Sequence, residues 1–239
     1  MKNPKTEEKK YEQLRKLGQE LHIPVPEHFI ELEVTDKNGK VLQTLKQRSH
    51  SWVRNAYNML LSQMASKNMD DAGSFGAGFL SIKDTAANIQ NGNIGAYVGS
   101  SGSSSAVNLE SSVAFRAGAG VVTHGIVVGS NAGAWTFEQY VLLTPIAEGV
   151  GADQLNYIAM SVPTKSYAAL TWTITWVRYM NNNSGGNISV NEVCIIALGS
   201  AGTLQKYILF SRDVLGAPVV IPDTGQLKVT YTIQLAYPA

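Results

Sequence analysis

From Leu227 to Leu235 the chain alternates without a break, with Leu227, Val229, Tyr231, Ile233 and Leu235 on one side and Lys228, Thr230, Thr232 and Gln234 on the other. Successive side chains of a strand point to opposite faces, whereas the apolar positions of an amphipathic helix recur every three or four residues. The segment is therefore a strand with one buried face, and a one-sided strand requires a sheet and something packed on that sheet. Upstream, Tyr207 to Phe210 is a short apolar run, and Pro218 and Pro222 bracket Val219, Val220 and Ile221. Proline cannot donate to a ladder, so the bracketed piece reads as an edge or a bend. The stretch from Tyr207 to Tyr237 thus reads as two strands, joined by a Pro- and Gly-marked turn, that close a β-rich domain.

The same signals recur along the chain. Ile30, Leu32 and Val34 alternate with Glu31 and Glu33 over Phe29 to Thr35, and Asp36-Lys37-Asn38-Gly39 supplies a turn before Val41 to Leu45, which makes a β-hairpin. Trp52, Ala56, Met59, Leu60 and Met64 then recur at three- and four-residue intervals, predicting a helix, capped by Ser49 or Ser51, that covers a sheet face or edge. Between Ala72 and Gly120 the chain is rich in Gly, Ser and Asn, including Gly99 to Ser105. Long loops are expected there, around short strands such as Phe79 to Ile82. Further strands are expected over Val121 to Val128, Leu155 to Val162, Leu170 to Tyr179 and Ile188 to Leu198. Residues Asn181 to Gly186 would join the last two as a broad hairpin turn. The fold class is mainly β: an antiparallel β-sandwich, jelly-roll-like, with one covering helix and a short N-terminal helical arm.

The arm occupies the first residues. Tyr11, Leu14, Leu17 and Leu21 draw one narrow apolar stripe through a segment dense in Lys and Glu, and such a helix is marginal alone in water. It is expected to order on a neighbouring subunit, with Gly18 weakening it, or else to fray. His22-Ile23-Pro24-Val25-Pro26 makes a stiff, extended connection. The expected organisation is residues 1–28 as arm and linker and 29–239 as a single sandwich domain.

Eleven of the 19 Lys and Arg lie in the first 54 residues. The remainder is close to neutral, a surface that favours association over repulsion. A formal net charge of +1 does not predict a nucleic-acid-binding face, which needs a concentrated basic patch. The single Cys194 cannot form an intramolecular disulfide and reads as a small buried hydrophobe. The N-terminus lacks the apolar core of a signal peptide and no run of about 18 apolar residues occurs, so synthesis in the cytoplasm without a membrane partner is expected.

Candidate reactive residues each have a plain structural reading. Glu31 and Glu33 are carboxylates on one strand face, as ordinary solvated faces are. His22, His28, His50 and His124 show neither helix-borne zinc spacing nor Cys neighbours. Serines lie outside any GxSxG elbow, and Gly118-Ala119-Gly120 and Gly39-Lys40 each lack glycines of the phosphate-binding fingerprints. Trp172, Ile174 and Trp176 share a strand face, which reads as core packing ahead of a sugar platform. No catalytic residue, cofactor or metal ligand is expected.

Residues His124-Gly125-Ile126-Val127-Val128-Gly129, then Trp135 to Tyr140 (WTFEQY) and Leu143 to Ile146 (LTPI), resemble a pattern in tailed-phage virion proteins. There a GIVVG strand precedes an acidic-aromatic segment. The likeness continues through Gly151 to Tyr157 (GxxQLxY), Asn182 to Val193 (NNSGxxIxVxEV) and Arg212 to Ile233, where the chain keeps RDVLxxPV and LxVxYTI of the pattern RDVLxxPVxVxxGxxLxVxYTI but has Ile221 and Thr224 in place of its middle Val and Gly. It implies a structural component of a viral particle and carries no catalytic residues. At the conspicuous positions, Gly125 and Gly129 suit close backbone approach, Tyr140 and Pro145 a corner, and Arg212-Asp213 a local ion pair at a strand end. Glu138-Gln139 stands where the pattern commonly has two acidic residues, which argues against a metal there.

The expectation is a non-enzymatic virion protein, assembling with copies of itself and other virion proteins through sheet edges, loops and the arm, and possibly capsid-associated. The alternative is a tail, baseplate or fibre protein that binds a carbohydrate or receptor, a host glycan included. The interaction candidates are Tyr11, Leu14, Leu17 and Leu21 on the arm, with Trp135 and Tyr140 on the body; the glycan-binding alternative would instead need Trp135 or Trp176 exposed.

Overall fold

The computed structural model describes residues 4–65, 80–90, 115–201 and 204–238. These form a mainly β structure of antiparallel sheets packed against each other, consistent with a β-sandwich. In chain order the elements are α1 (Pro4–Glu20), β1 (Val25–Thr35), β2 (Val41–Arg48), α2 (Arg54–Ala65), β3 (Ile82–Lys83), β4 (Ile89–Gln90), β5 (Gly125–Gly129), β6 (Asn156–Tyr157), β7 (Thr164–Ala168), β8 (Thr171–Asn181), β9 (Ile188–Ala201), β10 (Leu204–Ile221) and β11 (Gln226–Ala236). The larger sheet runs β2-β1-β11-β8-β6, with β7 also paired to β8, and the second runs β10-β9-β5. A small ladder joins β3 to β4.

The alternating strand sits where its pattern requires. β11 pairs with β1 on one side and β8 on the other. Leu227, Val229 and Tyr231 stand in register with Val34, Leu32 and Ile30 and with Met180, Arg178 and Trp176, and all nine are buried. β9 behaves differently: from Val193 to Leu198 it is buried on both faces, matching its unbroken apolar run. The β1–β2 turn is as expected, with Asp36 Oδ1 accepting from the backbone N–H groups of Asn38 and Lys40 and Gly39 at φ +80.

Several expectations are corrected. β8 and β9 lie in different sheets, as do β10 and β11, so Asn181 to Gly186 is a crossing between sheets and no hairpin. The two crossings are tied together by the buried Asn182. Its side-chain amide donates to Gly186 O and Ile221 O, and its backbone exchanges bonds with Thr224 and Gly225. β10 is one 18-residue edge strand with register shifts after Leu209 and Val214. β1 begins at Val25, so the linker is shorter than expected. Leu170 is a turn residue, β5 starts only at Gly125, and Leu155 to Val162 contributes just the two residues of β6.

α2 buries Ala56 and Met59 but leaves Leu60 exposed. Neither serine caps it through its side chain as expected: Ser49 instead turns its hydroxyl to Asp213 and Tyr231. The side chain of Met64, Phe79 and the Gly/Ser-rich loop through Gly99 to Ser105 lie outside the described residues.

Candidate functional site

α1 folds back on its own sheet and docks by its charged side. Arg15 donates to both oxygens of Glu27 at 2.8 Å, and Arg48 of β2 bridges Glu27 and Glu8 at 2.6 Å each. Tyr11 lies under the Arg48 guanidinium, 3.8 Å from the ring centroid, and meets His50 Nδ1 at 3.2 Å. His50 Nε2 stands 2.5 Å from Glu7. These partners hold the Glu8 carboxyl below its usual range, Arg48 first and Arg15 second.

Gly18 is the contact that needs its identity: a Cβ there would lie 2.5 Å from Val25 Cγ2, so glycine lets the helix touch β1. The helix ends in a Schellman motif with His22 at φ 56, Ile23 N–H on Gly18 O and His22 N–H on Gln19 O. With Tyr11, Glu7, Glu8 and Arg15 engaged on the sheet side, Leu14, Leu17 and Leu21 are 44%, 49% and 56% exposed. The expected stripe is thus split. Tyr11 is an intramolecular anchor, and the three leucines face solvent.

Three buried charged groups brace loops to the sheets. Arg178 points inward from β8 and donates to the carbonyls of Ile126, Val121, Gly118 and Ile158 at 2.6–3.2 Å. Burial lowers its pKa to about 10, so it stays protonated at neutral pH. Arg212 on β10 pairs with Glu192 of β9, both fully buried, and donates to Gln139 Oε1, Ala134 O and Gly133 O. Glu192 also accepts from the Thr144 backbone N–H, so this pair fastens the segment from 133 to 144.

Asp213, the next residue along, sits among the opposite-face residues. It accepts from Ser49 and Ser51 hydroxyls and the His50 backbone, with burial raising its pKa to about 6. Adjacent strand residues face opposite ways. The expected Arg212–Asp213 ion pair therefore does not form, and each finds a different partner.

The remaining candidates are dispersed. Trp135 is half-buried with its indole N–H donated to Ser51 O, and Tyr140 lies beneath Lys83 Nζ at 4.1 Å. Trp135 and Trp176 are thus corrected as exposed platforms, since Trp176 is 2% exposed. Trp172, expected in the core, is 41% exposed at the far end of β8. There it meets Tyr167 at 5.4 Å between centroids, and Tyr167 meets Tyr237 at 6.2 Å.

This aromatic group caps the β7–β8 hairpin, whose two turn residues Ala169 and Leu170 both have positive φ, 46 and 59. Asn-Gly suits such a turn far better, which is why the propensity pattern gave no warning of it. Gly125 and Gly129 do mark close approaches: a Cβ at Gly125 would sit 2.5 Å from Met160 Sδ, and one at Gly129 would strike Glu192 and Thr144 O. Gly129 also forms an antiparallel bridge with Pro145.

Glu31 pairs with Lys46 at 2.9 Å, and Glu33 stands beside Lys228 in register. His28 stacks on Trp52 at 4.1 Å and His124 on Tyr207 at 6.1 Å. Cys194 is buried, which raises its thiol pKa. Among the described residues no cluster of three or more His, Cys, Asp or Glu could hold a metal, and no helix is long and apolar enough to cross a membrane. No protein-family model matches the chain, and neither the curated proteins nor the solved structures include a match.

Proposed function

We propose that this chain is a non-enzymatic structural component of a tailed-phage particle, capsid-associated, that assembles with copies of itself and other virion proteins. The observation that carries the reading is α1: it spends its charged side on its own sheet and turns Leu14, Leu17 and Leu21 outward. An apolar row held in that orientation is a contact surface in search of a partner. The buried charges support the same reading, because Arg178, Arg212, Glu192 and Asp213 bond to loop backbones and side chains inside the protein. The motif likeness over residues 124–233 supplies the kind of particle. Particles assembled without this chain should be incomplete or unstable by electron microscopy, and particles indistinguishable from normal ones would reject the proposal.

A second reading, a tail, baseplate or fibre module that binds glycans, is favoured by one observation, the exposed Tyr167, Trp172 and Tyr237 group. Stacking of a sugar on Trp172 would shift tryptophan fluorescence. A flat response across a panel of host glycans removes this reading.

A further inference from the structure

We propose that α1 is an exchangeable arm, and that the surface it occupies on β1 and β2 is also the receptor for the α1 of a second copy. The proposal rests on the assembly reading and names the partner as this chain itself. The complementary groups are already in contact within one chain. The receptor supplies Glu27, Arg48 and His50, and the arm supplies Glu7, Glu8 and Arg15 in complementary positions. Gly18 and Val25 add a close steric fit. A second copy's arm can make every one of these side-chain contacts, so exchange conserves them and gives up only the two backbone bonds of the helix cap, Ile23 N–H to Gly18 O and His22 N–H to Gln19 O.

That connection favours opening. Only residues 21–24 separate α1 from β1, and in the folded-back form His22 is held at φ 56. A non-glycine residue there is uncommon and carries a conformational cost. Ile23 precedes Pro24, and a residue before proline prefers an extended backbone. Straightening the hinge releases the left-handed residue, and a residue before proline is already suited to an extended path. Short hinges under strain invite swapping, and lengthening them suppresses it. The contacts that hold the arm are mostly ionic and partly exposed, so salt weakens them and lets the arm leave.

The arm–receptor contact can be locked chemically. A Cβ at Gly18 would stand 4.0 Å from Val25 Cβ, within the ~3.5–4.5 Å span of a disulfide, and the native Cys194 is buried. A Cβ at residue 18 also meets Ile23 O at 2.9 Å, so the reduced double variant Gly18→Cys/Val25→Cys is first required to show the unmodified chain's dimer fraction by sedimentation velocity. The full-length variant is then concentrated in 1 M salt, returned to low salt, oxidised, and run on a non-reducing gel. Exchange predicts covalent dimers or larger chains whose fraction rises at least fivefold over a hundredfold rise in protein concentration. A purely monomeric disulfide at every concentration overturns it.

Should the double variant fail to fold, inserting Gly-Gly-Ser after His22 gives a second test. The longer hinge folds back without strain, and the dimer fraction seen by sedimentation velocity should fall at least fivefold relative to the unmodified chain. An unchanged fraction, or no dimer in either chain, overturns the proposal. If no exchange occurs but the protein is a multicopy constituent of particles, the arm proposal fails alone. If exchange occurs in a protein absent from particles, the assembly reading fails alone.

Discussion

Half-buried His28 and buried Asp213 titrate in the same range with opposite effects on stability. His28, stacked on Trp52, has its pKa lowered from 6.5 to about 4, chiefly by burial. Its contribution is complete above pH 6.5 and is lost as pH falls toward 4. Asp213 has its pKa raised from 3.8 to about 6, again chiefly by burial. It favours the folded state below pH 3.8 and loses that contribution as pH rises to 6. Each is worth on the order of 3 kcal/mol, so in the native chain they largely offset one another between pH 4 and 6. Thermal melts across that range should separate them: the Tm of His28→Phe rises relative to the native chain on acidification, and that of Asp213→Asn falls. Parallel profiles for all three would contradict the assigned pKa shifts. Arg178 is a sharper case, because replacing it with Met leaves the carbonyls of Gly118, Val121, Ile126 and Ile158 without their donor. A loss of about 3–5 kcal/mol is expected from urea denaturation, far more than a surface Arg would cost.

At the level of elements, the free edge of β10 shows how the sandwich is sealed. Between Val214 and Val219 the strand leaves register with β9. Two glutamines of β2 take over there: Gln47 donates to Val214 O and accepts from Gly216 N–H, and Gln43 donates to Pro218 O and accepts from Val220 N–H. Side-chain amides thus stand in for a neighbouring strand and close an edge that would otherwise invite pairing. Gln43→Ala with Gln47→Ala should cost about 2 kcal/mol and speed hydrogen exchange at Gly216 and Val220; unchanged exchange would show that the edge is closed by other means.

The local patterns that identified β1, β2, β9 and β11 were legible because burial imposes a period of two, or none, on the sequence. Sheet membership was not legible, since the Asn181–Gly186 and Pro222–Gly225 segments carry ordinary turn residues whether the chain reverses within a sheet or crosses between sheets. The arm shows the same limit. Its leucine spacing announced a helix, but only the pairing of Arg15 and Arg48 with Glu27 decides which side docks, and those partners are far apart in sequence. Trp135 and Trp172 exchanged expected roles for a related reason: composition cannot tell which end of a strand overhangs the second sheet.

For the whole molecule, buried charged groups hold loops to the sheets, while large apolar residues are exposed on α1 and at the β7–β8 tip and also on β2, α2 and the loops carrying Leu143, Val150 and Val162. This is the distribution expected of a protein that meets others of its kind repeatedly, where many modest contacts add up through symmetry. The arm, the sealed β10 edge and the strained Ala169–Leu170 turn fit together in that setting, one edge being closed so that contacts form only at chosen places. The most direct measurement is quantitative mass spectrometry of gradient-purified phage particles, with this chain counted against the other constituents. A virion building block should be present at a fixed, multicopy stoichiometry that survives salt washing; absence of the chain, or a sub-stoichiometric trace removed by the wash, would contradict that role.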